Sequence, residues 1–188
     1  MKGEVFLSAS VPVPGRGDYF STADPFLIQA AVRELVIHLM GRKTLVWGGH
    51  PAITPMIWSV CEDLDIGYAN SVILYQSSFF EDIFPMENQQ FANVIYTQAV
   101  PGDLRASLQI MREAMLSRSS LQSAVFIGGM EGIFEEHAMF KAFHPDGSII
   151  PMKATGGACA ELNPIPETDL QFNSIDFADI YNATLKFD

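Results

Sequence analysis

The feature that most limits what this chain can fold into is an alternation of two periodicities. Short apolar runs suited to buried strands occur at 4–9, 43–47, 70–76, 93–98, 123–129 and 148–154. Stretches with helical spacing separate most of them. Asp24 followed by Pro25 is a helix start that runs to Gly41, and Thr54-Pro55 repeats the signature for a helix reaching about residue 64. Asp103 opens a third, whose apolar positions 104, 108, 111 and 115 keep one face. Residues 133–143 read as a fourth helix, and a fifth is expected around 176–185. The segment 77–91, broken by Pro85, reads as short helical or irregular. Strands joined through helices make a parallel sheet covered on both faces. The expectation is a doubly wound α/β fold with a mainly parallel sheet, in one domain over 1–188.

Composition narrows the function. With 11 Lys+Arg against 22 Asp+Glu the net charge is −11, so the surface repels phosphate backbones and no nucleic-acid partner is expected. No apolar run approaches 18 residues, and the N-terminus shows neither a long apolar region nor a cleavage site. A cytoplasmic chain without a membrane partner is therefore expected. The two cysteines, Cys61 and Cys159, are too few for a disulfide framework, and no His, Cys or carboxylate cluster has metal-ligand spacing. No metal and no cofactor are expected.

Ligands of open α/β sheets bind beyond the carboxyl ends of the strands. Three of those ends carry glycine pairs: Gly48-Gly49 before His50, Gly128-Gly129 before Met130, Glu131 and Gly132, and Gly156-Gly157 after Thr155. Glycine lets backbone approach a ligand, and a helix starting there adds unpaired N–H groups, which together suit a phosphate without needing Lys or Arg. The expectation is an anion against the backbone of Gly128, Gly129 and Gly132. Neither GxxxxGK[ST], nor GxGxxG after the first strand, nor GxSxG is present.

The pieces VFLSASVP, VWGGHPAITPMI, VFIGGMEGIFEE and PMKATGGACAEL, in this order over residues 4 to 162, resemble the SLOG superfamily, named for the Smf/DprA and Lonely-Guy proteins. The resemblance is nearest to small SLOG domains found beside TIR-type NAD-cleaving domains in prokaryotic immunity. It implies a Rossmann-like fold with a core over 4–162, a C-terminal extension over 163–188, and a nucleotide-derived ligand such as ADP-ribose, cyclic ADP-ribose or NAD. It also implies a TIR-domain partner and self-association into a homo-oligomer. Lonely-Guy enzymes carry P-G-G-x-G-T-x-x-E, whose Glu serves in cleaving the N-glycosidic bond of a nucleotide. Here Ile127 replaces the Pro, a residue is inserted before Gly132, and Ile133 replaces the Thr. One residue is about 100° around a helix, so at most one of Glu135 and Glu136 can face the site.

The remaining candidates each carry two readings. Ser8 and Ser10 flank Ala9 at a strand end, where alternation is expected to turn at most one toward the pocket. Arg16, the one cation in the first loop, can meet a phosphate or sit in solvent beside Asp18. Thr54 can cap its helix or touch a phosphate, the cap being the simpler role. Glu131 can favour the helix dipole or accept from ribose hydroxyls. His50, pinned between Gly49 and Pro51, is expected to contact the ligand. Phe79, Phe80, Phe84 and Phe91 can close over an adenine or simply pack, while His137, His144, Cys159, Met111, Met115 and Met139 read as structural. The expected function is a sensor that binds a nucleotide-derived signal. The alternative is a nucleoside 5′-monophosphate N-glycosidase using Glu135 or Glu136.

Overall fold

In the computed structural model, which describes residues 3–167 and 172–185, the strands are β1 (Glu4–Ser10), β2 (Thr44–Trp47), β3 (Val72–Ser77), β4 (Asn93–Thr97), β5 (Leu121–Gly128) and β6 (Ser148–Pro151). The helices are α1 (Pro25–Leu39), α2 (Thr54–Leu64), α3 (Leu104–Leu116), α4 (Gly132–Phe143) and α5 (Phe177–Thr184). Residues 1–2, 168–171 and 186–188 of the expected domain lie outside the described residues. All five strand pairings are parallel, in the order β4-β3-β2-β1-β5-β6. The chain winds outward from β1 to β4, then returns to place β5 on the other side of β1. The fold is the expected Rossmann-like α/β architecture with helices on both faces of the sheet. Its direction reverses between β1 and β5.

Strand parity builds the two layers. Val5 and Leu7 of β1, with Leu45, Trp47, Val125 and Ile127, pack under α1, α2 and α5. Phe6, Val46, Tyr75, Ala124 and Phe126 point the other way, against Met111, Met115 and Leu116 of α3 and Ile133 and Phe140 of α4. Burial on both faces explains the continuous apolar runs of the central strands. The ring of Phe6 meets Phe126 edge-on at 6.3 Å.

The caps act as the residue types require. Asp24 accepts from the N–H groups of Phe26 and Leu27 at 2.9 and 3.1 Å, and Asp103 from Ala106 at 2.9 Å. Helix α1 stops at Leu39, two residues short of Gly41, whose φ of +77° marks the turn into β2. Strand β6 stops at Pro151 rather than at 154, because 3-10 turns at Lys153–Thr155 and Gly157–Glu161 take over. The segment after β3 is two 3-10 turns, Ser78–Ile83 and Met86–Gln90.

Far from the carboxyl edge, Arg118 clamps the opposite end of the sheet. Its Nε and Nη2 donate to the two oxygens of Glu4 at 2.8 and 2.6 Å, and its Nη1 donates to the Tyr75 hydroxyl at 3.0 Å. Helix α5 is tied down by Tyr181, fully buried, whose hydroxyl donates to the Ala31 carbonyl at 2.9 Å. Tyr181→Phe should lower stability by about 1 kcal/mol, the usual value of one hydrogen bond. Tyr181→Ala should cost about 3–5 kcal/mol, as for other large-to-small core changes. Urea denaturation of the two variants measures both, and equal losses would contradict the assignment.

Candidate functional site

A cavity of about 410 Å³ opens at the carboxyl edge of the sheet, across the point where strand order reverses. Its polar end is built by Ser8 and Ser10 from β1, Arg16 from the following loop, Met130, Glu131 and Gly132 at the start of α4, Glu136 one turn later, and Arg112 from α3. Its other end is apolar, with Phe80, Ile83, Phe84 and Pro85 opposite Leu108, Met111 and Met115. Trp47, Gly48, Gly49, His50 and Gln76 join the two. Ser8 and Ser10 both line it, which corrects the expectation of one. Two residues apart on a strand, they share a face, while the Ala9 side chain between them packs against the core on the other layer.

At the polar end a charged cluster organises the surface. Glu136 accepts from the Ser8 hydroxyl at 2.5 Å and from Arg112 Nε at 3.1 Å, so a protein donor meets each carboxylate oxygen. Arg112 Nη1 donates to Glu135, which is half-exposed and does not line the cavity. Of the two glutamates, Glu136 is the one that lines the cavity. Arg112 is 8% exposed, and a Cβ at Gly132 would lie 2.7 Å from its Nη2. Gly132 is thus the seat of a buried guanidinium. Sequence reading missed Arg112, which occupies an ordinary position on a helix.

Gln76 was missed as well. It is 4% exposed, its Nε2 donates to the Gly48 carbonyl at 3.4 Å, and a Cβ at Gly49 would overlap that nitrogen. Gly49, at φ +65°, therefore leaves room for a side-chain amide. Gly48 admits the Met111 and Met115 methyl groups, 3.3 and 3.4 Å from where its Cβ would be.

The Gly128-Gly129 loop differs from expectation in an informative way. The Gly128 N–H donates to Thr155 Oγ1 at 2.9 Å, and the Gly129 N–H donates to the Ser10 carbonyl at 3.0 Å. Neither amide is left for an anion. The donors that remain are those leading into α4, Met130 to Gly132, ahead of the bond from Ile133 N–H to the Met130 carbonyl. Gly129 is buried with φ +83°, so its replacement would strain the loop itself.

Thr155, Gly156 and Gly157 do not line the cavity, and neither do Gly128 and Thr54. The Thr155 hydroxyl, fully buried, donates to the Met152 carbonyl at 2.6 Å while accepting from Gly128. A Cβ at Gly156 would overlap the Thr22 carbonyl, and one at Gly157 would lie 2.8 Å from the Gly129 carbonyl. These two glycines allow backbone to pack on backbone. Thr54 is not a cap either: Ile53 occupies that position, and the buried Thr54 hydroxyl has no hydrogen-bond partner. His50 shapes the entry to α2, its carbonyl accepting from Ile53 and Thr54 and its Nδ1 from Ala52 at 3.2 Å.

Phe80 and Phe84 face the cavity, whereas Phe79 lies edge-on to Phe80 at 5.4 Å and Phe91 packs against Trp58 at 5.9 Å. Glu131, exposed at the mouth, closes against Gly17. Trp47 is 1% exposed, and its Nε1 is a buried donor without a partner. Cys159 donates to the Phe126 carbonyl at 3.0 Å, and His144 Nε2 lies 2.7 Å from the Leu116 carbonyl. Burial pushes the Cys61 thiol up to about 11 and the Cys159 thiol up to about 12, so neither offers a thiolate near neutrality. Among the described residues no group of three or more His, Cys, Asp or Glu could hold a metal ion. No helix among them is long and apolar enough to cross a membrane.

Burial, with the Arg16 charge beside it, holds His50 below the ordinary histidine range. Burial does the same to His38, next to Arg42, and to His137, next to Lys141. Such histidines take up a proton on unfolding. Their contribution is complete above the unfolded value of about 6.5 and is lost as pH falls below it. Urea midpoints should therefore decline from about pH 7 to 5.5, and His50→Asn should flatten part of that slope. An unchanged slope in this variant would contradict the assignment.

No curated protein and no solved structure matches the chain. A family model described as the SLOG cluster3 family matches residues 18–185. The match starts in the loop after β1 and runs through α5, so it takes in most of what the motifs alone set apart as an extension beyond 162. A match over most of the 188 residues decides the family: the chain belongs to the SLOG cluster3 family.

Proposed function

We propose that the cavity binds a nucleotide-derived ligand of the ADP-ribose, cyclic ADP-ribose or NAD type, and that the protein acts as a sensor of it. One observation carries the reading. A single cavity at the strand-order reversal combines the N-terminal turn of α4 and the exposed cation Arg16 at one end, where Arg112 is paired with Glu135 and Glu136, with Phe80 and Phe84 at the other. A nucleotide has this division, an anionic phosphate joined through ribose to a flat apolar base. The volume of about 410 Å³ falls in the ~300–1,000 Å³ range of small-molecule sites. SLOG membership supports a nucleotide-related role.

A sensor must pass its state on. In this reading the partner is a TIR-type NAD-cleaving domain, on the resemblance alone, and the chain self-associates. The edge strand β4 supports the second point, since Ile95 and Tyr96 lie exposed on it.

A second reading has its own support. Glu136, held between Ser8 and Arg112 inside the cavity, is where a carboxylate could stabilise a ribosyl centre during N-glycosidic cleavage. Against it, Ile133 stands where the Lonely-Guy motif carries Thr, and it is buried.

Thermal denaturation with ADP-ribose, cyclic ADP-ribose, NAD and AMP tests the site. A bound ligand at 100 times its Kd stabilises by about 2.7 kcal/mol. Phe80→Ala should weaken the best ligand roughly tenfold, the scale of one lost stacking contact. Arg16→Ala should weaken it roughly two- to fivefold, because the side chain is exposed. Chromatography of the same mixtures is expected to find no free base. Base release from AMP that is lost in Glu136→Gln would replace the sensor reading with the enzymatic one.

A further inference from the structure

The side chain of Gln76 is placed with more care than a wall residue needs. It projects from the carboxyl end of β3, almost wholly buried, into the junction between the polar and apolar ends of the cavity. The missing Cβ of Gly49 makes its room, and the Gly48 carbonyl receives its Nε2. A backbone carbonyl only accepts hydrogen bonds, so the NH₂ half of the amide must face it. That fixes which way the amide is turned. Oε1 then points away from Gly48, and no described residue donates to it, nor is it sealed from the cavity. The site therefore presents a pre-set acceptor beside the aromatic walls of Phe80 and Phe84.

We propose that Gln76 reads the edge of the ligand's base, its Oε1 accepting from an exocyclic amine, so that the site selects 6-aminopurines over 6-oxopurines. The proposal rests on the nucleotide reading above and adds the class of base. With the base faces against Phe80 and Phe84, its edge reaches β3. An adenine-type amine satisfies Oε1. A hypoxanthine-type carbonyl sets oxygen against oxygen, and the amide cannot flip to relieve it without turning Oε1 on the Gly48 carbonyl. A site built to pair with a ligand N–H discriminates against analogues lacking it more strongly than an apolar pocket discriminates by size.

The test is calorimetric titration of the full chain with two pairs, AMP against IMP and NAD against nicotinamide hypoxanthine dinucleotide. The amine-bearing member of each pair should bind at least about tenfold more tightly. In Gln76→Leu, checked for folding by its melting temperature, both members should bind weakly and within about twofold of each other, because only the base edge has lost its partner. The native comparison needs no substitution and stands even if the variant does not fold. Equal binding of the two members to the native protein overturns the base assignment and leaves the nucleotide reading intact. A preference that survives in folded Gln76→Leu also overturns the assignment. Binding of none of the four, nor of ADP-ribose or cyclic ADP-ribose in the same titration, overturns both.

Discussion

Everything at the carboxyl edge depends on how the Gly128-Gly129 loop is pinned. The Gly128 N–H is held by the Thr155 hydroxyl, the Gly129 N–H by the Ser10 carbonyl, and the Gly129 carbonyl receives the Ala158 N–H at 3.0 Å. Three separate segments, the end of β1, the end of β5 and the turns after β6, are thereby locked together at the reversal of strand order. The left-handed φ values of +60° and +83° turn the chain from β5 into α4. Glu136 is placed on α4 by that turn, and Met130 to Gly132 reach the cavity because of it. The loop is a joint, and the cavity wall is what hangs from it.

Glycine pairs at strand ends can mean a phosphate cradle or close packing, and this fold uses them mostly for packing. Gly156 and Gly157 admit backbone, Gly48 admits two methionine methyls, and Gly49 and Gly132 admit the ends of two long polar side chains, Gln76 and Arg112. The last two give the cavity its chemistry. Small residues on the loops make space for large polar ones arriving from β3 and α3, so the fold can bury a guanidinium and an amide in hydrogen-bonded positions.

The architecture was legible because it rests on local signals. Asp24 and Asp103 cap where their side chains can reach N–H groups, and the central strands are apolar on both faces because both are covered. The cavity was legible as a place, since strand ends of such sheets converge. Its residues were legible only in part. Ser8, Ser10, His50 and Met130 to Gly132 sit on loops and strand ends and were found there. Arg112 and Gln76 arrive from regular elements, where one sequence does not distinguish a residue aimed inward from one aimed at solvent. The signal was present indirectly, in Gly132 and Gly49. Thr155 and Gly157 were misread for the opposite reason: they follow a strand, yet the fold uses them to hold Gly128 and Gly129.

If a nucleotide-derived ligand binds in the cavity at the β1–β5 reversal, methionine methyl groups report on it directly. Met111, Met115 and Met130 line the cavity, while Met40, Met56, Met86, Met139 and Met152 do not. NMR of protein labelled with ¹³C at the methionine methyls, titrated with ADP-ribose, cyclic ADP-ribose or NAD, separates the two groups. Saturable shifts are expected at Met111, Met115 and Met130, with the other five essentially still. Saturable shifts centred on Met86 or Met139 instead, or no shift at any methionine with any of the three ligands, would contradict binding in this cavity.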